Sequence, residues 1–307
     1  PLVSPLVQMR AICKRFGPVL ANDHVSLDLW PGEIHAVLGE NGAGKTTLMN
    51  ILAGMYQPDS GSIRISGEEV HITSPVDALQ RGIGTVYQHF TLVPNLSILE
   101  NVALGADTGF VLNLGGIEGR LRQMLAEFGL DVSPQTEIRH LGLGQRQRVE
   151  IIKALLRGSR VLLLDEPTSV LTPGEVDSLL DLLRRLRGQG VAVVLITHKL
   201  GEALAVSDRV SILRAGRNAG EFGPDALRGA TTDSVRRRIV EQMFGGSEPV
   251  TTSEHGRAAA GEILYSLQGV STAREHGAAA LRNVSFELRQ GEIFGIAGVD
   301  GNGQKEL

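Results

Sequence analysis

The sequence predicts an α/β fold with a parallel core sheet, a small antiparallel β layer and a helical insertion. Strand-length apolar runs alternate with helical patterns, and two of these runs, Val161 to Leu164 and Val191 to Ile196, are apolar throughout. Such strands are typical of a parallel sheet covered on both faces. A glycine-rich loop follows another predicted strand, and the last part of the chain repeats an earlier part. These observations also predict the start of a second, truncated copy of the same fold.

Length and composition narrow the class of protein. The 307 residues are 42% hydrophobic, enough for one domain and part of a second. A net charge of −4 does not suggest a nucleic-acid-binding surface, so no nucleic-acid partner is predicted. Cys13 is the only cysteine, which excludes a disulfide framework and favours a reducing, cytosolic setting. No apolar run approaches the ~20 residues of a membrane span, so a membrane role would come through a partner.

The segment before the glycine-rich loop predicts the antiparallel layer. Met9 to Phe16 and Val25 to Trp30 have strand patterns, and the second ends at a Pro-Gly turn. Phe16 either stacks on an adenine ring from an exposed position or is an ordinary core phenylalanine. The sequence favours neither interpretation.

The glycine-rich loop fits the pattern G-x-x-x-x-G-K-[ST]. It follows the predicted strand Glu33 to Leu38 and precedes a predicted helix, Thr46 to Ala53. Glycines in this context let successive backbone N–H groups converge on phosphate oxygens, while the lysine reaches the β- and γ-phosphates and the threonine hydroxyl binds magnesium. The predicted nucleotide-binding residues are Phe16 and the loop, namely Gly39, Glu40, Asn41, Gly42, Ala43, Gly44, Lys45, Thr46 and Thr47.

The rest of the chain continues the alternation. The predicted strands are Gly61 to Gly67 and Ile83 to Tyr87, and the predicted helices are Ser74 to Gln80, Leu143 to Arg157 and Pro173 to Arg187. Residues 95–145 have a different character and predict the helical insertion, with helices at Ile98 to Leu104 and Ile117 to Phe128. The basic run Arg236 to Arg238 predicts one solvated helical turn.

Polar residues follow three of the predicted core strands. Gln88, the pair Asp165 and Glu166, and His198 each come at or just after a strand end. The carboxyl ends of parallel strands meet at one sheet edge, where ligands bind in open α/β folds. One carboxylate would hold magnesium and the next would polarise an attacking water, as in P-loop ATPases.

The chain also contains an internal repeat. Val284 to Ile293 matches Val25 to Ile34 position for position, and Gly298, Gly301 and Gly303 align with three loop glycines. Residues 1–244 are therefore predicted to form the first domain, 245–260 a linker, and 261–307 the N-terminal part of a second copy. Gln304 stands in the lysine register of the second loop and Lys305 in the threonine register, which predicts a weakened phosphate site there.

Taken together, these motifs closely resemble the ATP-binding subunits of ATP-binding cassette (ABC) transporters over the whole length of the chain. The resemblance identifies Gln88 as the loop glutamine, His198 as the switch histidine, and a signature motif formed by Leu141, Gly142, Leu143, Gly144 and Gln145. Tandem copies and the altered second loop resemble importers of monosaccharides and nucleosides, with the nucleoside branch weakly favoured.

The resemblance implies a function. ATP and Mg²⁺ would be bound; Lys45, Gln88, Glu166 and His198 would act in hydrolysis, with Thr46, Gln88 and Asp165 around the metal. The implied partners are transmembrane permease subunits, a periplasmic or lipoprotein solute-binding protein and the second cassette, at the cytoplasmic face of the membrane. The signature departs from the common Leu-Ser-Gly-Gly-Gln at Gly142 and Leu143, so one competent and one degenerate composite site are expected.

Other classes fit less well. A soluble ABC-type ATPase of translation or DNA repair would carry basic patches, a long charged linker or a coiled coil, none of which is present in the sequence. A P-loop GTPase would need an Asn-Lys-x-Asp motif, which is absent. A purely nucleotide-sensing subunit is disfavoured because Asp165, Glu166 and His198 are all in place.

Overall fold

A computed structural model describes residues 4–104, 114–228, 232–245, 261–272, 280–297 and 307. The chain divides into two compact units, Pro1–Gly246 and Ser247–Leu307. The predicted linker and the second glycine loop, with Gly298, Gly301, Gly303, Gln304 and Lys305, lie outside the described residues, apart from Gly245.

The predicted antiparallel layer is present at the start of the first unit. Its strands are β1 (Val7–Phe16), β2 (Val19–Leu29), β4 (Ser60–Ile65) and β5 (Glu68–Val70), in the order β2-β1-β4-β5. Alternate residues of β1 and β2, such as Val7, Met9 and Val25, are fully buried, as expected for strands with one face on a core. The layer is larger than the two strands predicted for it, because β4, which the sequence predicts as a strand elsewhere in the alternation, and β5 also join it.

The core sheet has six strands in the order β10-β9-β3-β8-β7-β6. All adjacent pairs are parallel except β9 and β10, which form an antiparallel pair at one edge. The strands are β3 (Ile34–Leu38), β6 (Ile83–Val86), β7 (Val161–Asp165), β8 (Ala192–Ile196), β9 (Arg209–Arg214) and β10 (Arg217–Phe222). Because these pairs are parallel, the carboxyl ends of β3, β6, β7 and β8 lie along the same edge.

Helices cover both faces of this sheet. They are α1 (Lys45–Leu52), α2 (Pro75–Gln80), α3 (Ile98–Ala103), α4 (Leu114–Glu127), α5 (Leu143–Leu156), α6 (Pro173–Gly188), α7 (Leu200–Val206), α8 (Pro224–Arg228) and α9 (Thr232–Phe244). Leu162 and Leu164 of β7 join a core with α5 and α6, whereas Val161 and Leu163 join a core with α1 and the antiparallel layer. This alternation explains why β7 is apolar at each of its first four positions.

The helical insertion is also present. A capping box between Ser97 and Glu100 begins α3, and α4 lies where the sequence places its second helix. Leu121, Leu125 and Phe128 are buried in the core that also contains α5. The insertion is therefore anchored by apolar packing, at about 1.5–3 kcal/mol per buried large side chain.

The second unit contains a two-stranded antiparallel sheet. Its strands are β11 (Ile263–Val270) and β12 (Val284–Arg289). The pairs Tyr265↔Leu288, Leu267↔Phe286 and Val270↔Val284 have the spacing of Val7↔Leu29, Met9↔Leu27 and Ile12↔Val25 in the first unit, including the register shift.

Backbone details of the two hairpins also match. Left-handed φ angles occur at Ala11 (47°) and His24 (53°) in the first unit and at Gly269 (62°) and Asn283 (52°) in the second. The Ala11 N–H donates to Ser26 Oγ at 3.0 Å, and the Gly269 N–H donates to Ser285 Oγ at 2.8 Å. The similarity first seen in the sequence therefore extends to strand register, backbone conformation and hydrogen bonding.

Within the described residues, no helix has both the length and the apolar character that a membrane crossing requires.

Candidate functional site

The glycine-rich loop lies between β3 and α1, where the sequence predicts it. Gly39, Gly42 and Gly44 all have positive φ angles, the last at 96°. A Cβ at Gly39 would lie 2.3 Å from the Leu213 carbonyl oxygen, and one at Gly44 would lie 2.2 Å from that of Ala21. Both conformation and space therefore require glycine at these two positions, and the loop forms a backbone-lined cradle at the N-terminus of α1.

Lys45 is held inside this cradle. Its side chain is 5% exposed, and Nζ donates to the carbonyl oxygens of Gly39 (2.8 Å) and Glu40 (2.9 Å). Burial lowers the pKa of Lys45, and the carboxylates of Glu166 and Asp165 offset only part of that shift. The loop thus holds the ammonium group of Lys45 against two of its own carbonyl oxygens, in a residue that also lines a cavity.

Thr46 and Asp165 form a pair of oxygen ligands beside the lysine. The Thr46 hydroxyl hydrogen-bonds to the Asp165 carboxylate. Burial raises the pKa of Asp165, and this hydrogen bond offsets only part of the rise. A hydroxyl and a carboxylate are hard oxygen donors of the kind that Mg²⁺ prefers. The residues present therefore fit a magnesium ion.

Glu166 and His198 come from adjacent strands and contact each other. His198 Nδ1 lies 2.9 Å from Glu166 Oε1, while the Glu166 N–H donates to the Ile196 carbonyl at 3.0 Å. Glu166 has φ at +45°, a conformation that costs a residue with a side chain on the order of 1 kcal/mol or more. The sheet thus holds the carboxylate of a residue with a strained backbone next to an imidazole.

Most of these groups line one cavity of about 780 Å³, but His198 is not among the lining residues and reaches the site through its contact with Glu166. The predicted Gly39 and Glu40 are not in the lining either. Gln88, Asp165 and Glu166 line the cavity together with loop residues 41–47, so strand-end residues of β6 and β7 meet the loop as predicted. Phe16 also lines the cavity and is 42% exposed, with its ring edge-to-face with Tyr56 at 5.2 Å. This position favours the first interpretation of Phe16, an exposed ring at a ligand site.

Some residues at the cavity have no counterpart among the sequence predictions. The wall includes Ala21 from β2 and the turn Ala215-Gly216 between β9 and β10. The Gly216 N–H donates to the Ala43 carbonyl at 3.2 Å, and the buried Asn22 amide donates to the Gly44 carbonyl at 3.1 Å. A glycine after Arg214 indicates a turn, but nothing in the sequence places this turn against the loop.

The predicted signature begins α5 and does not line this cavity. Gly142 is the N-cap residue, and its N–H donates to Gln145 Oε1 at 3.0 Å. The Gly144 N–H donates to Glu175 Oε1 at 3.2 Å, and Leu143 is exposed. The signature therefore lies outside the cavity that the glycine-rich loop of the same chain lines.

A second cluster of potential metal ligands is formed by Cys13, Asp23 and His24. Its Asp23 carboxylate accepts a hydrogen bond from Arg217 Nε at 2.6 Å, and Arg217 and His24 keep the pKa of Asp23 below its ordinary value. Because a guanidinium already neutralises this carboxylate, we assign no metal to the cluster.

The fold and the site together define a P-loop nucleoside triphosphatase domain. Residues 22–169 match the family model described as ABC transporter. This match shows that residues 22–169 form part of an ATP-binding cassette (ABC) transporter domain.

Related proteins and structures agree with this assignment. The chain is 44% identical to the glucose import ATP-binding protein of Haloferax volcanii, over 99% of the chain and 59% of that protein. It is 40% identical to a nucleoside import ATP-binding protein of Lactococcus lactis, over 98% of the chain and 58% of that protein. It is 39% identical to the guanosine import ATP-binding protein of Bacillus subtilis, over 98% of the chain and 58% of that protein. The chain thus spans less than three-fifths of the length of these relatives.

Among solved structures, an ATP-binding cassette of an ABC transporter in its ADP conformation superposes with a TM-score of 0.68 at 23% identity, over 78% of this chain and 99% of that one. This likeness concerns the fold alone.

Proposed function

We propose that this chain binds Mg-ATP in the cavity and hydrolyses it once a second cassette closes over the site, which drives import of nucleosides or monosaccharides. One observation carries the proposal. The loop between β3 and α1 brings Lys45 to a cavity that also receives Gln88 from the end of β6 and Asp165 and Glu166 from the end of β7.

The phosphates would bind to the loop. Its N–H groups and the N-terminus of α1 attract negative charge, and Lys45 Nζ can exchange its carbonyl partners for β- and γ-phosphate oxygens. Phe16, at the edge of the cavity, offers an aromatic face for the adenine ring. We therefore assign the loop to the triphosphate and Phe16 to the base.

Thr46 and Asp165, with Gln88 nearby, would hold Mg²⁺. When bound, the ion neutralises charge on the β- and γ-phosphates. Glu166 would orient the attacking water and accept its proton, and His198, 2.9 Å from the Glu166 carboxylate, would fix the orientation of that carboxylate. We therefore assign hydrolysis to Glu166 and its positioning to His198.

A second cassette would complete the site. The signature lies outside the cavity that the loop of its own chain lines, so it would serve the nucleotide of a partner cassette. We assign residues 261–307 to the start of that second copy, supported by the shared strand register and the shared Ser26 and Ser285 hydrogen bonds.

The two composite sites would differ. Gly142 supplies no hydroxyl and would face Gln304, where the first loop has a lysine. A missing hydrogen bond to a charged phosphate is worth about 1.5–3 kcal/mol. The resulting site is degenerate, whereas the site built on Lys45 and Glu166 is competent.

The transport role rests on the names of the relatives, which are import proteins for glucose, ribose, nucleosides and guanosine. This role implies two kinds of partner, namely permease subunits and a solute-binding protein. It also implies a peripheral position at the cytoplasmic face of the membrane. Co-purification of a permease with the chain supports the transport role, whereas co-purification of ribosomal or DNA-repair components supports the alternative.

The variant Glu166→Gln tests the catalytic assignment. The variant leaves the glycine-rich loop and the charge of Lys45 unchanged, so the ATP dissociation constant measured by titration calorimetry should stay within about threefold of the original value. Turnover should fall by about 10²- to 10⁴-fold, because the group that accepts the proton of the attacking water is lost. Glu241→Gln, an exposed change on α9, serves as the control and should alter neither quantity. Loss of ATP binding by Glu166→Gln would instead make Glu166 a structural residue.

A further inference from the structure

The outer side of the glycine-rich loop is held by two hydrogen bonds from outside the loop. The Gly216 N–H donates to the carbonyl of Ala43, and the side-chain amide of Asn22 donates to the carbonyl of Gly44. Gly44 also accepts the first backbone hydrogen bond of α1, from the Leu48 N–H at 3.0 Å. These contacts fix two successive peptide planes of the loop.

Fixing these carbonyls also fixes the N–H groups on the other side of each peptide. In a planar trans peptide the C=O and the following N–H point in opposite directions. With the Ala43 and Gly44 carbonyls held outward, the Gly44 and Lys45 N–H groups face the side where phosphate binds. Asn22 therefore acts on the orientation of the Lys45 N–H without touching the ligand.

The environment of Asn22 indicates why an amide is present. The side chain is fully buried, and its Oδ1 has no hydrogen-bond partner among the described residues. Nδ2 is the donor to the Gly44 oxygen, because the opposite amide orientation would place the acceptor Oδ1 against another acceptor. A buried oxygen without a partner is unfavourable. Among the described residues, the hydrogen bond to Gly44 is the one recorded contact that offsets this cost.

We propose that Asn22 is a positioning residue for phosphate binding: its amide holds the Gly44 carbonyl so that the Lys45 N–H stays aimed at the nucleotide phosphates. This inference rests on the proposed ATP binding. It adds a residue of the antiparallel layer to the determinants of nucleotide affinity.

The test compares Asn22→Leu with the unchanged chain in two measurements. Leucine removes the unpaired oxygen, so the thermal midpoint of the nucleotide-free chain should stay the same or rise, while Gly44 keeps its bond from Leu48. The dissociation constants for Mg-ADP and Mg-ATP should both rise about three- to tenfold, the range expected for one lost hydrogen bond. The ratio of ATP to GTP affinity should not change, because Asn22 acts on the phosphate loop and not on the base.

Gln147→Met is the matched control. Gln147 is also a buried amide, its nitrogen has no partner within the described part of the chain, and it lies on α5, outside the cavity wall. Its nucleotide affinity should equal that of the unchanged chain. Asn22→Ala, which adds no bulk, is measured in parallel and should weaken binding by a similar factor. If either Asn22 variant folds and binds Mg-ADP as tightly as the unchanged chain, the inference is overturned; failure of the unchanged chain to bind would instead overturn the proposed function.

Discussion

Single residues of the site adopt unfavourable states that the surrounding fold maintains. Lys45 is buried with a lowered pKa, and Glu166 keeps a left-handed backbone conformation at the end of β7. Strain and desolvation of this kind concentrate at functional sites, where rigid neighbours hold the group in place. The strands on both sides of β3 and β7 provide that rigidity here.

A buried histidine on β3 gives the molecule a predictable pH dependence. His35 Nδ1 lies 3.1 Å from the Asp28 carbonyl, which can only accept, so Nδ1 carries the proton and Nε2 accepts from the Ser211 hydroxyl. Burial, aided by the Arg209 charge, lowers the pKa of His35 to about 3, from an unfolded value of 6.5. Below pH 6.5 His35 binds a proton in the unfolded chain but stays neutral in the folded chain. The free energy of unfolding therefore falls as the pH falls.

The expected slope is about 1.4 kcal/mol per pH unit, or about 2 kcal/mol of unfolding free energy lost between pH 6.5 and about pH 5. Urea unfolding at these pH values should show this loss in the unchanged chain and a correspondingly shallower dependence in His35→Gln. His71→Gln, at an exposed position, is the matched control. An identical pH dependence in the unchanged chain and in His35→Gln would show that His35 does not contribute.

The sequence predicts most residues of the site because their positions follow local rules. Gln88, Asp165 and His198 lie at or just after the ends of buried strands, and parallel strand ends meet at one edge. Asn22 and Gly216 could not be predicted in the same way. Their role depends on contacts across sequence separations of about 20 and 170 residues, which no local pattern encodes.

At the scale of elements, α5 connects the signature to two other parts of the molecule. At its start, the Gly144 N–H donates to Glu175 at the first turn of α6. In its middle, the buried Glu150 accepts hydrogen bonds from the Thr91 N–H (2.5 Å) and hydroxyl (2.9 Å), in the loop that follows Gln88. A buried carboxylate therefore links the loop that follows Gln88 to α5.

The contact between α5 and α6 can be measured by comparing two capping boxes. Glu175 closes a capping box with Thr172 and also accepts a hydrogen bond from the Gly144 N–H. Glu100 closes a capping box with Ser97 and, within the part of the chain that the structure describes, accepts no hydrogen bond from another element. Glu100→Ala should cost about 0.5–2 kcal/mol of unfolding free energy. Glu175→Ala should cost about 0.5–1.5 kcal/mol more, because the Gly144 hydrogen bond is lost as well.

Urea unfolding at neutral pH measures both losses. Equal losses in Glu175→Ala and Glu100→Ala would mean that the Gly144 contact contributes nothing to stability.

Element prediction was most successful where the periodicity is strong. The helix predicted at Pro173 to Arg187 is α6, and the predicted Leu143 to Arg157 is α5, each within one residue. For the region between His198 and the linker, the sequence predicts only one helical turn. There β9 and β10 are short, α7 and α8 have seven and five residues, and Gly216 separates two strands without an extended apolar run. Packing of Phe222 and Ile239 in a third core stabilises these elements.

At the scale of the whole molecule, the proposed catalysis requires two cassettes. The signature of one chain lies outside the cavity that its own loop lines, so an isolated chain lacks the group that would close over its nucleotide. Where no partner cassette is present, two copies of the chain can take over this pairing, with the signature of each against the Lys45 loop of the other. Hydrolysis should then depend on association, which follows mass action.

The specific ATPase activity of the purified chain should therefore increase with chain concentration over about a hundredfold range. Activity per chain is measured at saturating Mg-ATP, with the Glu166→Gln chain as the background control. A constant activity per chain over the whole range would show that one cassette hydrolyses ATP unaided and would contradict the paired mechanism.

The binding of the triphosphate at the loop between β3 and α1 is the claim on which all of these roles depend. A crystal structure of the Glu166→Gln chain with Mg-ATP tests it most directly. The account predicts the β- and γ-phosphates in the loop, within hydrogen-bond distance of Lys45 Nζ, with the metal beside Thr46 and Asp165. ATP bound elsewhere, or Asp165 turned away from the metal, would contradict it.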